Sequence, residues 1–293
     1  MGILNPVQLP DYLSHNPGDD PAAINGDHDL SSDDRQVYLK FHATRNRANT
    51  RRSHQQAIKT HPKPFKIPQS TSLASPSRLI MDAFVRSCAQ QFTRYWGGRK
   101  LRVLDIGCGS GYGSNLLEQG GMEGEYIGID HQAHPEFDQT ISAKFARRQI
   151  ITDILDLQPE TIAPVDLLIS MTSLEHFEDD AAALAIARKT LAPDSGELHL
   201  IHAEDGLRLW ETHGWRQYAP ACVRGLCPEA KIYRIGGAAS GIIHRRCITD
   251  SNRCSKQGVV ECQSVLRDLA IERIVFGNRC RYSMARSRLY EVV

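Results

Sequence analysis

No two of the eight cysteines in this 293-residue chain stand as a Cys-x-x-Cys pair. Cys222, Cys227 and His213 match no standard zinc spacing, so no metal site is expected of them. Free thiols are expected instead of a disulfide framework, because the N-terminus also lacks the basic and apolar regions of an export signal. No apolar run approaches the length of a membrane span, and a cytoplasmic protein is the resulting expectation. Net charge is nearly absent too. The balance of 35 basic against 34 acidic side chains offers no global field to draw in nucleic acid or an anionic membrane.

Local charge, by contrast, is segregated. Residues 1–34 carry acids only and residues 35–66 bases only, from Arg35 through Arg45, Arg47, Arg51 and Arg52 to Lys66. The expectation for residues 1–74 is a polar N-terminal arm or lid, partly disordered, whose two halves attract each other or whose basic half contacts an anionic partner such as RNA. With 41% hydrophobic residues the rest of the chain can bury a sizeable core.

Ser75-Pro76 is a helix start, and Ile80, Phe84, Cys88, Phe92 and Tyr95 recur at helical spacing up to Gly97-Gly98. Beyond it, "LRVLDIG", "EYIGID", "RRQIITD", "PVDLLISM" and "GELHLIHA" read as strands. A short helix follows the first strand and an amphipathic one, Asp179 to Leu191, precedes the last of them. Strands alternating with helices imply a doubly wound, mostly parallel α/β sheet covered by helices on both faces.

The loop "GCGSGYG" after the first strand then occupies the ligand position of such a sheet. A dinucleotide fingerprint starting at Gly107 requires glycine at 112, which is Tyr112; starting at Gly109 it meets Ser114. Asp105 inside the first strand suits a cationic ligand better than a pyrophosphate. Asp130 ends the second strand, where a carboxylate can accept both ribose hydroxyls. A nucleoside with positive charge and no pyrophosphate describes S-adenosylmethionine.

"VLDIGCGSGYG" resembles the first motif of the Rossmann-like, class I S-adenosylmethionine-dependent methyltransferases. "YIGID", "ITDILDL", "DLLISMTSLEHF" and "LAPDSGELHLIH" fall where that family's later motifs fall. The resemblance covers about residues 100 to 203. It implies a seven-stranded sheet with an antiparallel last strand, a cofactor-binding core over 75–203, and completion of the sheet plus the acceptor region over 204–293. It also implies that Asp105, Gly107, Cys108, Gly109 and Gly111 hold the methionine portion. Asp130 would take the ribose, His131 would lie beside the adenine, Asp153 and Ile154 would meet the adenine amino edge, and Ser170 and Met171 would lie by the sulfonium.

A sulfonium methyl needs only an aligned nucleophile and exclusion of water. For a hydroxyl acceptor a general base helps; His176 in "SLEHF" is the candidate, with Glu175 to orient it or bind a metal. Asp153 has a competing role as a helix cap, and His176 one as a hydrogen-bonded structural residue. "SMTS" replaces an N-P-P-Y or D-P-P-Y motif, which lowers the weight of an amino-group acceptor, and no Pro-Cys pair is present for a covalent adduct. The expected activity is O-methylation of a small molecule or sugar. An RNA or protein acceptor reached by the basic arm, a nicotinamide-dependent oxidoreductase and an idle cofactor-binding scaffold are the alternatives. For the C-terminal strands, a hairpin built from "KIYRI" and the tail "IERIVFGNRCRYSMARSRLYEVV" are equal candidates.

Overall fold

A computed structural model describes residues 23–62, 76–139, 141–162, 164–237, 241–242, 244–245 and 289–292. In chain order the elements are α1 (Ser32–Gln55), β1 (Thr60–Pro62), α2 (Pro76–Tyr95), β2 (Leu101–Ile106), α3 (Tyr112–Gln119), β3 (Gly124–Asp130) and β4 (Phe145–Ile151). They continue with β5 (Val165–Met171), α4 (Asp180–Arg188), β6 (Leu191–Leu200), α5 (Gly206–Trp210), α6 (Pro220–Leu226), β7 (Lys231–Arg234) and β8 (Leu289–Val292).

Buried strands of a parallel sheet need apolar side chains on both faces, and β2 supplies them. Leu101 and Val103 face one core with Phe84, Cys88, Leu116 and Tyr126. Leu104 and Ile106 face the other with Ile127, Ile129, Leu168 and Leu184. The strand order is β1-β7-β8-β6-β5-β2-β3-β4, and every named pairing is parallel. The chain winds outward from β2 to β4, then resumes on the other side with β5 and β6. The switch in strand order therefore falls between β2 and β5, and the glycine loop leaves β2 at that point.

The doubly wound α/β class holds, with three differences of detail. The sheet has eight strands, because β1 adds an edge beyond the family's seven. β8 runs parallel to both β6 and β7, not antiparallel. "KIYR" forms β7 without a hairpin partner at Gly241, Ile242 or His244, which are helical; the strand from the tail, β8, inserts between β6 and β7 instead.

In α2, Phe84, Cys88 and Phe92 are buried, each phenylalanine worth about 1.5–3 kcal/mol of transfer free energy. Tyr95 is 44% exposed, so the stripe ends one turn earlier than its spacing suggests. The helix stops where Gly97 and Gly98 take positive φ and the Gly98 N–H returns to the Thr93 carbonyl. A half-buried ion pair ties α4 to β6: the Arg188 guanidinium donates to both oxygens of buried Glu197 at 2.8–3.1 Å, and His199 Nε2 lies 3.2 Å from the same carboxylate.

Within the arm, α1 occupies Ser32–Gln55. Ser31 caps α1 by accepting from the Asp34 N–H, and Asp33 and Asp34 sit in its first turn while Arg52 and His54 sit in its last, each sign matched to the helix dipole. Tyr38, His42, Asn46 and Ser53 form its buried face. That face is polar, and it docks by hydrogen bonds. The Tyr38 hydroxyl donates to the His213 carbonyl at 2.8 Å and accepts from Gln217 at 3.1 Å, Asn46 Nδ2 donates to Gln217 Oε1 at 3.1 Å, and Ser53 Oγ accepts from the Ala221 N–H at 2.8 Å.

Candidate functional site

The loop after β2 turns three times through positive φ, at Gly107 (70°), Gly109 (49°) and Gly111 (68°). Only glycine adopts these angles without strain. A Cβ on Gly111 would stand 2.1 Å from Arg147 Nη2 and 2.8 Å from the Phe137 ring, whereas one on Gly109 would meet only His134, at 4.0 Å. The middle of the loop thus presents bare backbone to open space while its far end is clamped. The clamp is Arg147 of β4, which donates to the Ser110 carbonyl at 3.2 Å and the Phe137 carbonyl at 2.8 Å. Sequence reasoning missed Arg147; the signal was a long cation in a strand whose neighbours in the sheet are buried.

Asp105 is fully enclosed. Its Oδ2 accepts from the Tyr126 hydroxyl in a short bond, and its Oδ1 has no hydrogen-bond partner. Burial pushes its carboxyl up to about 7, against the opposing bond from Tyr126. Asp130 ends β3 and accepts from the Gly109 N–H at 2.9 Å, which ties the second strand to the loop. His131, largely exposed, stands 3.1 Å from the other Asp130 oxygen. Tyr112, which breaks the dinucleotide fingerprint, donates its hydroxyl to Asp82 of α2 at 2.8 Å.

The remaining cofactor candidates divide. Met171 lies against Gly113 and so at the loop. Cys108 is buried over Gly128, whose Cβ would come within 2.5 Å of the sulfur. Ser170 is buried with its hydroxyl 2.8 Å from His199 Nδ1, inside the sheet. Asp153 caps a 3-10 turn by accepting from the Leu155 N–H, and the Ile154 side chain packs in the core.

A second cluster forms at the same edge of the sheet. Ser173, which follows β5, donates to the Ile106 carbonyl at 2.7 Å and packs against Gly107. The next residues, Leu174–His176, make a 3-10 turn that carries Glu175 inward and His176 outward. His202 comes from the segment after β6 and His213 from the loop after α5. Gly214 (φ 62°) lets that loop approach: a Cβ there would lie 2.5 Å from the Glu175 carbonyl, which instead accepts from the Trp215 N–H at 2.7 Å. Asp27, from the arm, closes the group. It holds His176 Nδ1 at 2.6 Å with one oxygen and accepts the Gly214 N–H at 2.8 Å with the other. The His176–His213 and His202–His213 ring centroids are each 4.7 Å apart, and Trp210 stacks on His202 at 5.9 Å.

Charge is distributed unevenly here. Burial works to raise Asp27, but the bonds from His176 and Gly214 and the nearby imidazoles hold it below the usual carboxylate value. Burial pulls His176 down, and the Asp27 bond with the charges of Glu175 and Asp27 outweighs it, so its pKa is raised. His202 is driven down to about 3 by burial and by its fellow histidines. Glu175, with no solvent exposure, is pushed up to about 7 by burial. The sequence points to His176 as a general base and to Glu175 as its orienting partner or a metal ligand, considers His213 only beside Cys222 and Cys227, and gives Asp27 and His202 no site role.

A protein family described as a methyltransferase domain matches residues 81–231, slightly over half of the chain. The chain belongs to that family. The matched region is a methyltransferase domain running from α2 to the first residue of β7, and its cofactor is S-adenosylmethionine. The nicotinamide alternative falls with that assignment. No curated protein matches this methyltransferase. Among solved structures, it is similar to the plantazolicin methyltransferase BpumL in complex with SAH, at 16% identity and a TM-score of 0.37, with 50% of this chain and 54% of that one covered. It is also similar to the Burkholderia thailandensis 1,6-didemethyltoxoflavin-N1-methyltransferase, at 19% identity and 0.30, with 44% and 65% covered. A methyltransferase in complex with the Haloferax volcanii Trm112 activator gives 19% and 0.34, with 51% and 74% covered. The methyltransferase spans about half of BpumL and under two thirds of the toxoflavin enzyme. No helix among its described residues is long and apolar enough to cross a membrane.

Proposed function

We propose that the methyltransferase transfers the methyl group of S-adenosylmethionine to a hydroxyl oxygen of a small molecule or sugar. When bound, S-adenosylmethionine supplies a methyl already activated by its sulfonium. The residues at the switch point fit it. The unpartnered Oδ1 of Asp105 is an acceptor for an ammonium group, the bare backbone at Gly109 admits close approach, and Asp130 offers carboxylate oxygens to ribose hydroxyls. Met171 lies beside the loop as a soft wall.

The observation that carries the acceptor reading is the bond between Asp27 and His176. With Nδ1 held at 2.6 Å by the carboxylate, Nε2 is the nitrogen left to take a proton, and the carboxylate stabilises the imidazolium that results. The hydroxyl proton passes to His176 as the oxygen–methyl bond forms and the sulfur–methyl bond breaks. Direct transfer needs no covalent residue, and His176 belongs to the turn after β5 whose Ser173 packs against Gly107 of the glycine loop. The test is a panel of hydroxyl-bearing small molecules and sugars assayed by S-adenosylhomocysteine release. His176→Gln should lower kcat on the accepted compound by about 10²–10⁴-fold with S-adenosylhomocysteine affinity unchanged. Transfer to nitrogen only, or full turnover in His176→Gln, would overturn the reading.

An RNA acceptor is the second reading, favoured by a groove between α1 and the segment after β6 whose lining includes Arg47, Arg51, His54 and Arg208 beside Asp205 and the Arg234–Glu204 ion pair. RNA affinity that falls steeply with salt, and loses that slope in Arg47→Ala/Arg51→Ala, would support it.

A further inference from the structure

Glu175 poses a problem that the acid–base reading does not solve. It is completely buried, and neither carboxylate oxygen accepts a hydrogen bond. A buried carboxylate in that state is costly unless something cationic meets it. What surrounds it are imidazoles. His202 Nδ1 stands 3.5 Å from Oε1, too poorly aligned for a hydrogen bond, and His213 is brought alongside by the Gly214 turn and the Trp215 N–H bond to the Glu175 backbone. One donor atom from each of Glu175, His202 and His213 can be chosen so that all three lie within 4.8 Å of one another.

We propose that Glu175, His202 and His213 bind a divalent transition-metal cation. The donor set of two imidazoles and one carboxylate selects borderline ions such as Zn²⁺, Fe²⁺ or Mn²⁺ over Mg²⁺ and Ca²⁺, which favour oxygen alone. Metal–ligand bonds of about 2.0–2.2 Å require the three donors to close slightly from their present spacing. Two features of the surroundings suit the role. Asp27 Oδ1 lies 3.5 Å from His213 Nδ1, a carboxylate placed to orient a ligating ring, and Trp210 stacks on His202 and fixes its plane. Three protein ligands leave a coordination position for an acceptor oxygen, next to the imidazole of His176. The spacing argues only against a site of Cys222, Cys227 and His213; His213 instead joins Glu175, which the sequence already offers as a metal ligand, and neither cysteine belongs to the cluster.

The proposal goes beyond the hydroxyl-transfer reading and stands or falls separately from it. Metal-free protein is titrated with Zn²⁺ by calorimetry, and metal content is measured after dialysis, for the wild type, Glu175→Gln and His202→Gln. Each variant is first checked for S-adenosylhomocysteine binding, which depends on the other loop and reports a native fold. One equivalent of Zn²⁺ in the wild type, with affinity at least tenfold weaker in each variant that folds, is the expected result. Absence of stoichiometric binding in the wild type, or undiminished binding in the variants, would overturn the proposal. If Zn²⁺ binds as described and no hydroxyl compound is methylated, only the acceptor reading fails.

Discussion

Asp27 and His176 are 149 residues apart in the chain and meet at 2.6 Å, one from the segment before α1 and the other from the turn after β5. The contact makes the arm part of the site. Asp27 is itself fixed by the Gly214 N–H, and the Tyr38 hydroxyl holds the adjoining His213 carbonyl, so α1 and the loop after α5 position the imidazole together.

Asp27→Asn therefore tests the arm as a positioning element. An amide cannot stabilise an imidazolium as a carboxylate does. The variant should lower kcat at least tenfold, leave KM for S-adenosylmethionine within about twofold, and retain S-adenosylhomocysteine binding by calorimetry. Equal activity of variant and wild type would place the arm outside the chemistry.

The glycine loop makes a sharper steric prediction. Gly111→Ala introduces a Cβ at 2.1 Å from Arg147 Nη2 in a residue with φ of 68°. Because the ring of Phe137 also closes on that point, the guanidinium cannot simply swing aside. A loss of about 1–3 kcal/mol in urea-unfolding stability is expected, with weaker S-adenosylhomocysteine binding. Gly109→Ala, facing open space, should cost less stability.

Much of this arrangement could be read before the structure. β2, β3 and β5 announce themselves because strands buried on both faces leave unbroken apolar runs, and the loop between β2 and α3 stands out because three close turns demand glycine. The arm did not announce itself. Tyr38, Asn46 and Ser53 dock through polar atoms while His42 packs its ring on Tyr38, so a buried face looked like a solvated one. The same holds for the cluster after β5: Glu175 and His176 are adjacent in sequence, but His202, His213 and Asp27 reach them only through the sheet topology and the Gly214 turn. Ser170 ends β5 with its hydroxyl against His199, a contact that the sequence pattern does not announce. The parallel direction of β8 could not be foreseen either, since pairing partners are set by the sheet and not by the four residues themselves.

Asp105 gives the fold a pH dependence of known sign. Its carboxyl titrates at about 7 when folded against 3.8 as a free side chain, so between these values the folded state holds more protons than the unfolded one. Without ligand, stability attributable to this residue is fully present below about pH 4 and is lost as pH rises through about 7. Asp105→Asn should remove that decline, which is read by comparing urea midpoints of variant and wild type at pH 5 and pH 8. Parallel pH profiles for the two proteins would show that Asp105 is not the group responsible.

The central claim is that the loop between β2 and α3, with Asp130, is the S-adenosylmethionine site of this chain. Calorimetric titration with S-adenosylhomocysteine of the wild type and Asp130→Ala tests it most directly, because Asp130 is the carboxylate proposed for the ribose and holds the Gly109 N–H. Micromolar binding by the wild type, weakened at least tenfold in the variant, is the predicted result. Equal affinity in the two proteins, or no binding by the folded wild type, would contradict it.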